Sequence, residues 1–235
     1  MKNNKKIKTT LIVLIVILIL VLCFNVGVYA AYALAATDVS YTKPNGTQTS
    51  VKAALDEVYA KVPKHSIGDE VTYKGEPFFV IADKGTTYEL LAKYVLNSAA
   101  TKQENEDTKC AFSTSNYWKD ETLPTSSPYL NLNTYLAVQN DKGSAVYKAN
   151  NYAKSLGAIG GRLLTYEEAK NLKDSYSDII YVTYGKSKYY WLGSAYNSTY
   201  VLGVNGSIGY LSNNYYDHPY SFGVRPVIEI YKSEI

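Results

Sequence analysis

The chain has 235 residues, of which 46% are apolar and 19% are charged, so it can bury a core and lacks the composition of a long disordered chain. The formal net charge is +3, but four lysines lie within the first eight residues, so the other residues together carry a formal charge of −1. No clustered basic stretch is present in that remainder, which argues against nucleic acid as a partner.

Tyrosine is strongly over-represented, with 25 Tyr against 5 Phe and 2 Trp. A tyrosine side chain has a flat apolar ring and a polar hydroxyl, so this excess predicts amphipathic surfaces of the kind used in recognition. The alternative interpretation is a sheet-rich protein in which Tyr occupies half-exposed strand positions.

The N-terminal segment predicts export. Residues 1–10 are basic and polar and are predicted to form a cytoplasmic tail, because lysines before an apolar run stay in the cytoplasm. Residues 11–35 are predicted to be a transmembrane signal-anchor helix, which would make the protein single-pass in the cell membrane with an extracellular C-terminal domain. If this segment is instead a signal peptide cleaved after Ala35, the protein would be secreted.

The two cysteines are Cys23, inside the apolar segment, and Cys110. The exported part therefore has a single thiol and no partner for an intrachain disulfide. A domain that depends on its core alone is typical of a Gram-positive surface protein.

Residues 36–63 are predicted to form a stalk made of a short strand, a turn at Pro44-Asn45-Gly46 and a helix from Ser50 to about Val62. The apolar helix positions are spaced by 4, 3 and 4 residues, as in a heptad seam. The helix could pack on its own domain, or residues 50–62 could join copies into a homo-oligomer. This strand-turn-helix pattern is similar to a short element of phage fibres and bacterial surface proteins. The seam consists of Val51, Leu55, Val58 and Val62.

The remainder, residues 64–235, is predicted to be one globular domain. It opens with three short strands separated by turns at Lys74-Gly75 and Lys84-Gly85. Residues 97–128 are polar and are predicted to be a long loop with Trp118 as its one anchor to the core.

Helices are predicted next, a short one at residues 134–138 and an amphipathic one at 144–156 that ends at Gly157. Thr165 and Glu168 form the sequence pattern of a capping box at the start of another helix.

Strands are predicted for the C-terminal part, first at residues 181–184 and then at Tyr190-Trp191-Leu192. A hairpin is predicted across Asn205-Gly206, with its second strand beginning at Ile208. Residues 222–230 form the predicted closing strand.

Three motifs carry a family resemblance: GRLLTYEEA at residues 161–169, YWLGSA at 190–195 and FGVRPVIEI at 222–230. In this order they resemble bacterial surface domains of the C-type-lectin and sulfatase-modifying-factor fold, within an uncharacterised family that ends in Gly-Val-Arg-Pro-Val. The resemblance spans residues 66–230. It implies an α+β fold with antiparallel strands and two or more helices, whose first and last strands pair. It also implies that ligands contact loops before the closing strand, and that Arg225 is structural.

The chain departs from the family in its chemistry. The Glu-Pro-Asn, Gln-Pro-Asp and Trp-Asn-Asp motifs of calcium-dependent sugar binders are absent, and the oxidising enzymes of this fold need a cysteine pair where only Cys110 is available. His65 and His218 are far apart in sequence, and no His/Cys cluster has the spacing of metal ligands. We therefore predict no catalytic centre, no metal site and no cofactor.

The sequence instead predicts a recognition surface before the last strand. Tyr, Asn, Ser, Asp and His make up most of residues 196–221, and such residues combine rigid aromatic area with adaptable hydrogen bonding. We expect this surface to bind a glycan or a protein on another surface. The predicted ligand-binding residues are Tyr196, Asn197, Tyr200, Asn213, Asn214, Tyr215, Tyr216, Asp217, His218 and Tyr220.

Two alternatives stay open for this function. Residues 195–224 contain no Lys, Glu, Gln, Met or Trp, which fits a phage-related variable protein whose Asn codons are diversified by a retroelement. The other alternative is a structural envelope protein with an oligomerising stalk and no small ligand.

Overall fold

A computed structural model describes residues 39–61, 64–104, 108–123, 129–181, 189–206, 209–219 and 222–235. The chain divides into two compact units, residues 1–62 and 63–235, and each is described by itself. The predicted tail and signal-anchor at residues 1–35 lie outside the described part. Among the described residues, no helix has the length and apolar character needed to cross a membrane.

The first unit contains a strand pair followed by a helix. Strands β1 (Ser40–Thr42) and β2 (Gln48–Ser50) are antiparallel, and helix α1 (Val51–Lys61) follows directly. Gly46 closes the turn between the strands with a φ of 83°, and the Ser50 hydroxyl caps α1 by accepting the Ala53 amide at 3.0 Å. These elements match the predicted strand, turn and helix, while their role as a stalk stays a prediction.

The predicted heptad seam of α1 is described only in part. Leu55 is 47% exposed, and Val51 is half-buried. The side chain of Val58 and the whole of Val62 lie outside the described residues. Self-association through residues 50–62 therefore stays a prediction.

The second unit is built on a five-stranded antiparallel sheet. Its strands, in spatial order, are β3 (Glu70–Tyr73), β4 (Glu76–Asp83), β5 (Thr87–Ala92), β12 (Pro226–Tyr231) and β8 (Gly160–Leu163). The predicted meander of three strands is confirmed. The expectation that the first and last strands pair is wrong, because β12 pairs with β5 and β8 while β3 lies at the edge. All residues of β5 are buried, so this strand occupies an interior position with a neighbour on each side.

Four α-helices are described in this unit: α2 (Leu136–Asn140), α3 (Ala145–Ser155), α4 (Tyr166–Ser175) and α5 (Ser177–Ile180). Helix α3 packs closely on β8, and this is possible because residue 161 is glycine. A Cβ atom at Gly161 would lie only 2.5 Å from the Ala149 carbonyl oxygen. The predicted 144–156 helix is confirmed, with Ser144 as its cap. The predicted 134–138 helix is divided into a 3₁₀ turn at Leu132–Thr134 and α2.

A second antiparallel sheet contains β9 (Tyr189–Ala195), β10 (Tyr200–Asn205) and β11 (Tyr210–Tyr215), with β10 in the centre. The predicted hairpin is present: Asn205 pairs with Tyr210, where the described second strand begins, and its predicted start at Ile208 lies outside the described residues. The short strands β6 (Val95–Leu96) and β7 (Gln103–Glu104) form a further pair. The prediction of a mixed α+β fold with antiparallel strands is confirmed at this level.

The polar segment 97–128 is attached to the core more firmly than predicted. Trp118 is fully buried, but so is Phe112, whose ring packs edge-on against Trp118 at 5.7 Å and Trp191 at 5.8 Å. The Cys110 amide also donates to the Phe222 carbonyl at 2.9 Å. The prediction of Trp118 as the one anchor is therefore wrong, because an apolar residue within a polar segment can be placed in a core only once its partners are known.

The segment before the last strand is irregular. Phe222 and Gly223 make isolated bridges to Cys110 and Tyr190, and the regular strand starts at Pro226 rather than at residue 222. Tyr181 follows helix α5 and is not in a strand, and the rest of the predicted 181–184 strand lies outside the described residues.

The predicted capping box at the start of α4 is present. Thr165 accepts the Glu168 amide, and the Glu168 carboxylate accepts the Thr165 amide at 2.9 Å. Arg162 on β8 adds a bidentate pair to the same carboxylate at 2.6 and 2.7 Å. Burial acts to raise the pKa of Glu168, but the bonds from Arg162 and Thr165 outweigh it and lower that pKa.

Replacing Glu168 with Gln is expected to lower the free energy of unfolding at neutral pH by roughly 1–3 kcal/mol, since it breaks charge-assisted bonds in a half-buried setting. A carboxyl whose folded pKa is lowered stabilises the protein above its ordinary pKa of about 4.3 and loses that effect as pH falls through the folded pKa. The difference between the wild type and Glu168→Gln should therefore shrink in acid, as measured by urea unfolding from pH 7 to pH 3. Glu167→Gln, in the same helical turn but exposed, is the control.

Candidate functional site

The predicted ligand-binding residues do not form one surface. All of them except Tyr220 are described. Directly paired residues of an antiparallel sheet share a face and successive residues alternate, so the pairs Tyr200–Tyr215 and Leu202–Asn213 lie on one face. Asn214, which is paired with Val201, lies on the opposite face of the sheet. The alternation along β11 therefore divides the predicted ligand-binding residues between the two faces.

On the first face, Tyr200 and Tyr215 form what we call the tyrosine ridge. Their ring centroids are 4.4 Å apart, and Tyr215 is 48% exposed. The side-chain hydrogen bond with Tyr215, together with partial burial, raises the pKa of Tyr200. The Tyr200 phenol therefore stays protonated at neutral pH, and the ridge presents two adjacent aromatic rings.

Asn197 forms the turn between β9 and β10. Its side-chain oxygen accepts the amides of Thr199 at 2.9 Å and Tyr200 at 2.8 Å, which is an Asx-type turn. Its carbonyl accepts Trp118 Nε1 at 3.3 Å. Asn197 thus shapes the surface, and its side-chain oxygen is already used by the turn.

Tyr216 lies against the core. Its ring contacts Trp118 edge-on at 5.7 Å, and it packs against the main cluster of buried residues. Asp217 and His218, which follow it, are exposed. A substitution at Tyr216 would therefore alter stability as well as any binding.

On the second face, a cleft of about 260 Å³ brings predicted residues together with unpredicted ones. We call it the hairpin cleft. Strand alternation directs the Asn213 side chain toward the ridge face, so Asn213 borders both surfaces. The cleft is lined by Lys109, Tyr189, Ser212, Asn213, Asn214, His218 and Phe222.

The two aromatic residues that line the hairpin cleft, Tyr189 and Phe222, form what we call its floor. The Tyr189 and Phe222 rings are stacked at 5.4 Å with an interplanar angle of 9°, and Trp191 packs edge-on against Phe222 at 4.5 Å. Phe222 can lie this close to β10 because position 203 is glycine, where a Cβ atom would lie 2.5 Å from the Phe222 ring. The floor is therefore held rigidly by the sheet.

The walls of the hairpin cleft are polar. Asn214 accepts the Tyr215 amide at 2.8 Å through its side-chain oxygen, and Asn205 donates to the Tyr189 hydroxyl at 3.2 Å. Ser212 and His218 add a hydroxyl and an imidazole. Within the part of the chain that the structure describes, no group of three or more His, Cys, Asp or Glu could hold a metal ion.

Sequence reasoning missed several aromatic neighbours of the predicted residues. The sequence places Phe222 in the predicted closing strand and Lys109 in the predicted loop, and it gives Tyr189 no role. Tyr196 stacks on Tyr129 at 5.8 Å, and Tyr129 contacts Tyr166 at 4.4 Å. The excess of tyrosine was the one available signal, and it did not identify which tyrosines meet.

Comparison with known proteins found no matching family model, no matching curated protein and no matching solved structure.

Proposed function

We propose that this protein displays a glycan-binding domain outside the cell membrane, with residues 11–35 as its anchor and the hairpin cleft as its binding site. The observation that carries the proposal is the stacked Tyr189–Phe222 pair, which lines the same cleft as amide, hydroxyl and imidazole groups and the Lys109 ammonium. A sugar ring has apolar C–H faces that pack on aromatic rings and hydroxyl edges that need hydrogen bonds. A concave site with an apolar floor and a few polar groups matches both needs.

Apart from the Lys109 ammonium, the polar groups that line the cleft favour a hydroxyl-rich ligand. An Asn side chain has both donors and acceptors, and a sugar hydroxyl also both donates and accepts. Ser212 and Asn214 therefore suit hydroxyls better than they suit a carboxylate or a phosphate, which accept only. The resemblance to C-type-lectin-like domains supports the same proposal, without calcium, since the calcium motifs of that family are absent.

A protein ligand is the second candidate, and the tyrosine ridge favours it. Tyr215 is 48% exposed and its ring lies against Tyr200, and rigid, exposed tyrosines provide contact area at low entropy cost. The ridge and the cleft lie on opposite faces of the same hairpin, so substitutions can separate the two functions.

The test is a glycan array probed with the full-length chain in a polyoxyethylene detergent, which carries no sugar. Replacing Asn214 and His218 together with Ala is expected to weaken glycan binding about tenfold or more, because two hydrogen bonds of about 1 kcal/mol each are lost. Replacing Tyr200 and Tyr215 with Ala should leave glycan binding unchanged. Melting temperatures establish that both variants are folded.

Two outcomes would contradict the proposal. In the first, the cleft variant binds glycans as the wild type does. In the second, the ridge variant loses binding while the cleft variant keeps it, which would assign recognition to the tyrosine ridge.

A further inference from the structure

A separate small pocket lies beside the N-terminal end of helix α4. Its volume is about 150 Å³, and it is lined by Tyr129, Asn131, Thr165, Tyr166, Glu167 and Ser194. None of these residues belongs to the hairpin cleft, and none was predicted from the sequence to bind a ligand. We call it the aromatic pocket.

Two tyrosine rings form a corner of this pocket. The centroids of Tyr129 and Tyr166 are 4.4 Å apart, and their planes are inclined at 74°. Tyr196 stacks on Tyr129 at 5.8 Å with an angle of 25° and supports that ring. Burial, followed by the neighbouring Tyr166, Tyr196 and Glu167, raises the pKa of Tyr129. Tyr129 is therefore a neutral phenol, and the π face of a tyrosine ring carries partial negative charge.

The pocket also has net negative charge. Of its six lining residues, Glu167 is the one with a full charge. The N-terminal end of α4 has a partial positive charge, but Glu167 and Glu168 place two carboxylates in that turn, and Arg162 pairs with Glu168. The Tyr166 amide is already bonded to Ser194 Oγ at 3.0 Å, so this helix end is not an open anion site.

We propose that the aromatic pocket binds a quaternary ammonium group of the choline type. A cation against the faces of aromatic rings is attracted by their quadrupoles, and trimethylammonium groups are recognised in this way. Glu167 supplies the counter-charge, and the corner of Tyr129 and Tyr166 supplies two ring surfaces. This inference does not rest on the glycan function of the hairpin cleft.

The hydrogen bonding of the pocket favours such a cation over a sugar ring. Ser194 Oγ accepts the Tyr166 amide, Asn131 Oδ1 accepts the Asn133 amide at 3.1 Å, and Thr165 Oγ1 donates to Glu168 at 3.0 Å. These oxygens are used within the protein, so a ligand with many hydroxyls would find few acceptors. A quaternary ammonium group has no N–H to donate, so it requires no hydrogen-bond acceptor in the pocket.

The test compares choline with 3,3-dimethyl-1-butanol, in which a neutral carbon replaces the ammonium nitrogen. Both are titrated by calorimetry into the full-length chain at constant ionic strength, in the same polyoxyethylene detergent. Choline is expected to bind at least about fivefold more tightly, because the two ligands share their shape and differ in charge. Phosphocholine and glycerophosphocholine are titrated next. If these two ligands bind with the same affinity as choline, the pocket recognises the ammonium group alone. If glycerophosphocholine binds more tightly than choline and phosphocholine, the source of the ammonium group is a lipid headgroup.

Three variants locate the site. Tyr129→Leu and Glu167→Gln are each expected to weaken choline binding about threefold or more, and Glu167→Gln should leave the neutral analogue unaffected. Tyr231→Leu is the matched control, since Tyr231 is 56% exposed and does not line the pocket.

The proposal is overturned if the neutral analogue binds as tightly as choline, if choline does not bind, or if Glu167→Gln and Tyr129→Leu bind choline as the wild type does. It is also overturned if Tyr129→Leu removes glycan binding on the array, since the pocket would then belong to the glycan site. Failure of the hairpin-cleft proposal appears separately, in the Asn214 and His218 variant.

Discussion

Replacing Arg225 with Met is expected to lower the free energy of unfolding by roughly 3–5 kcal/mol, because it removes several hydrogen bonds from a buried charged donor at once. Arg225 is fully buried and donates to the carbonyls of Ala92 at 2.7 Å, Ile179 at 2.8 Å and Ile180 at 3.3 Å. It also donates to the Tyr190 hydroxyl at 3.2 Å. The Met side chain fills much of the space but removes this donor from the Ala92 and Ile179 carbonyls, while the Ile180 carbonyl keeps the Tyr190 hydroxyl as a donor at 2.9 Å.

Urea unfolding of the full-length chain measures this loss, and Arg225→Lys tests its cause. Lysine keeps the charge, but its compact ammonium cannot reach acceptors spread around a planar guanidinium, so a similar loss is expected. Lys84→Met is the control, because Lys84 is paired with Glu89 at 3.5 Å but its side chain is 52% exposed, which predicts a change below about 1 kcal/mol. If Arg225→Met unfolds within about 1 kcal/mol of the wild type, Arg225 does not hold these segments together.

Replacing Trp118 with Ala is expected to lower the free energy of unfolding by about 3–5 kcal/mol, since truncating a buried tryptophan leaves a large cavity. Trp118 has no exposed surface, and its ring contacts Phe112 and Tyr216 edge-on, at 5.7 Å in each case. Its indole nitrogen also donates to Asn197. The substitution should therefore release the turn at residues 196–199 as well.

Urea unfolding measures the loss at Trp118, and limited proteolysis reports whether residues 108–123 become accessible. The neighbouring Tyr117→Ala is the control, because Tyr117 is 39% exposed and its truncation is expected to cost less than about 1 kcal/mol. Cleavage of Trp118→Ala at the wild-type rate would contradict the role of Trp118 as an anchor of this segment.

Both substitutions would also affect the proposed glycan site. The Arg225 network lies a few residues beyond Phe222 in the chain, and Trp118 supports Tyr216 between β11 and His218. Loss of binding in these variants would therefore reflect loss of structure. The paired variants at Asn214 and His218 are preferable for testing recognition, because they alter exposed or half-buried side chains.

Features that depend on a few neighbouring residues could be predicted from the sequence. The capping box of Thr165 and Glu168, the helix end at Gly157 with its φ of 77°, and the strand meander are all present. Each rests on interactions within about four residues or on a period of two. The coarse fold class follows from the order of such elements.

Features that depend on pairing between distant segments could not be predicted. The sequence predicts one displayed surface from Tyr196 onward, although β10 and β11 divide these residues between two faces. The motif resemblance implied a structural Arg225, but its acceptors come from Ala92, Ile179, Ile180 and Tyr190. No local pattern indicates these partners, because strand register and sheet order are set by the packing of the whole core.

The sequence by itself therefore determined the coarse fold class, several helices and strands with their order, and the richness in tyrosine. Only the tertiary structure decided which tyrosines are displayed, which are buried and which meet. Tyr216 and Tyr215 are adjacent in the chain, yet one packs on Trp118 and the other is 48% exposed. The physical reason is that a tyrosine suits both a core and a surface, so its neighbours in space, and not its own chemistry, fix its role.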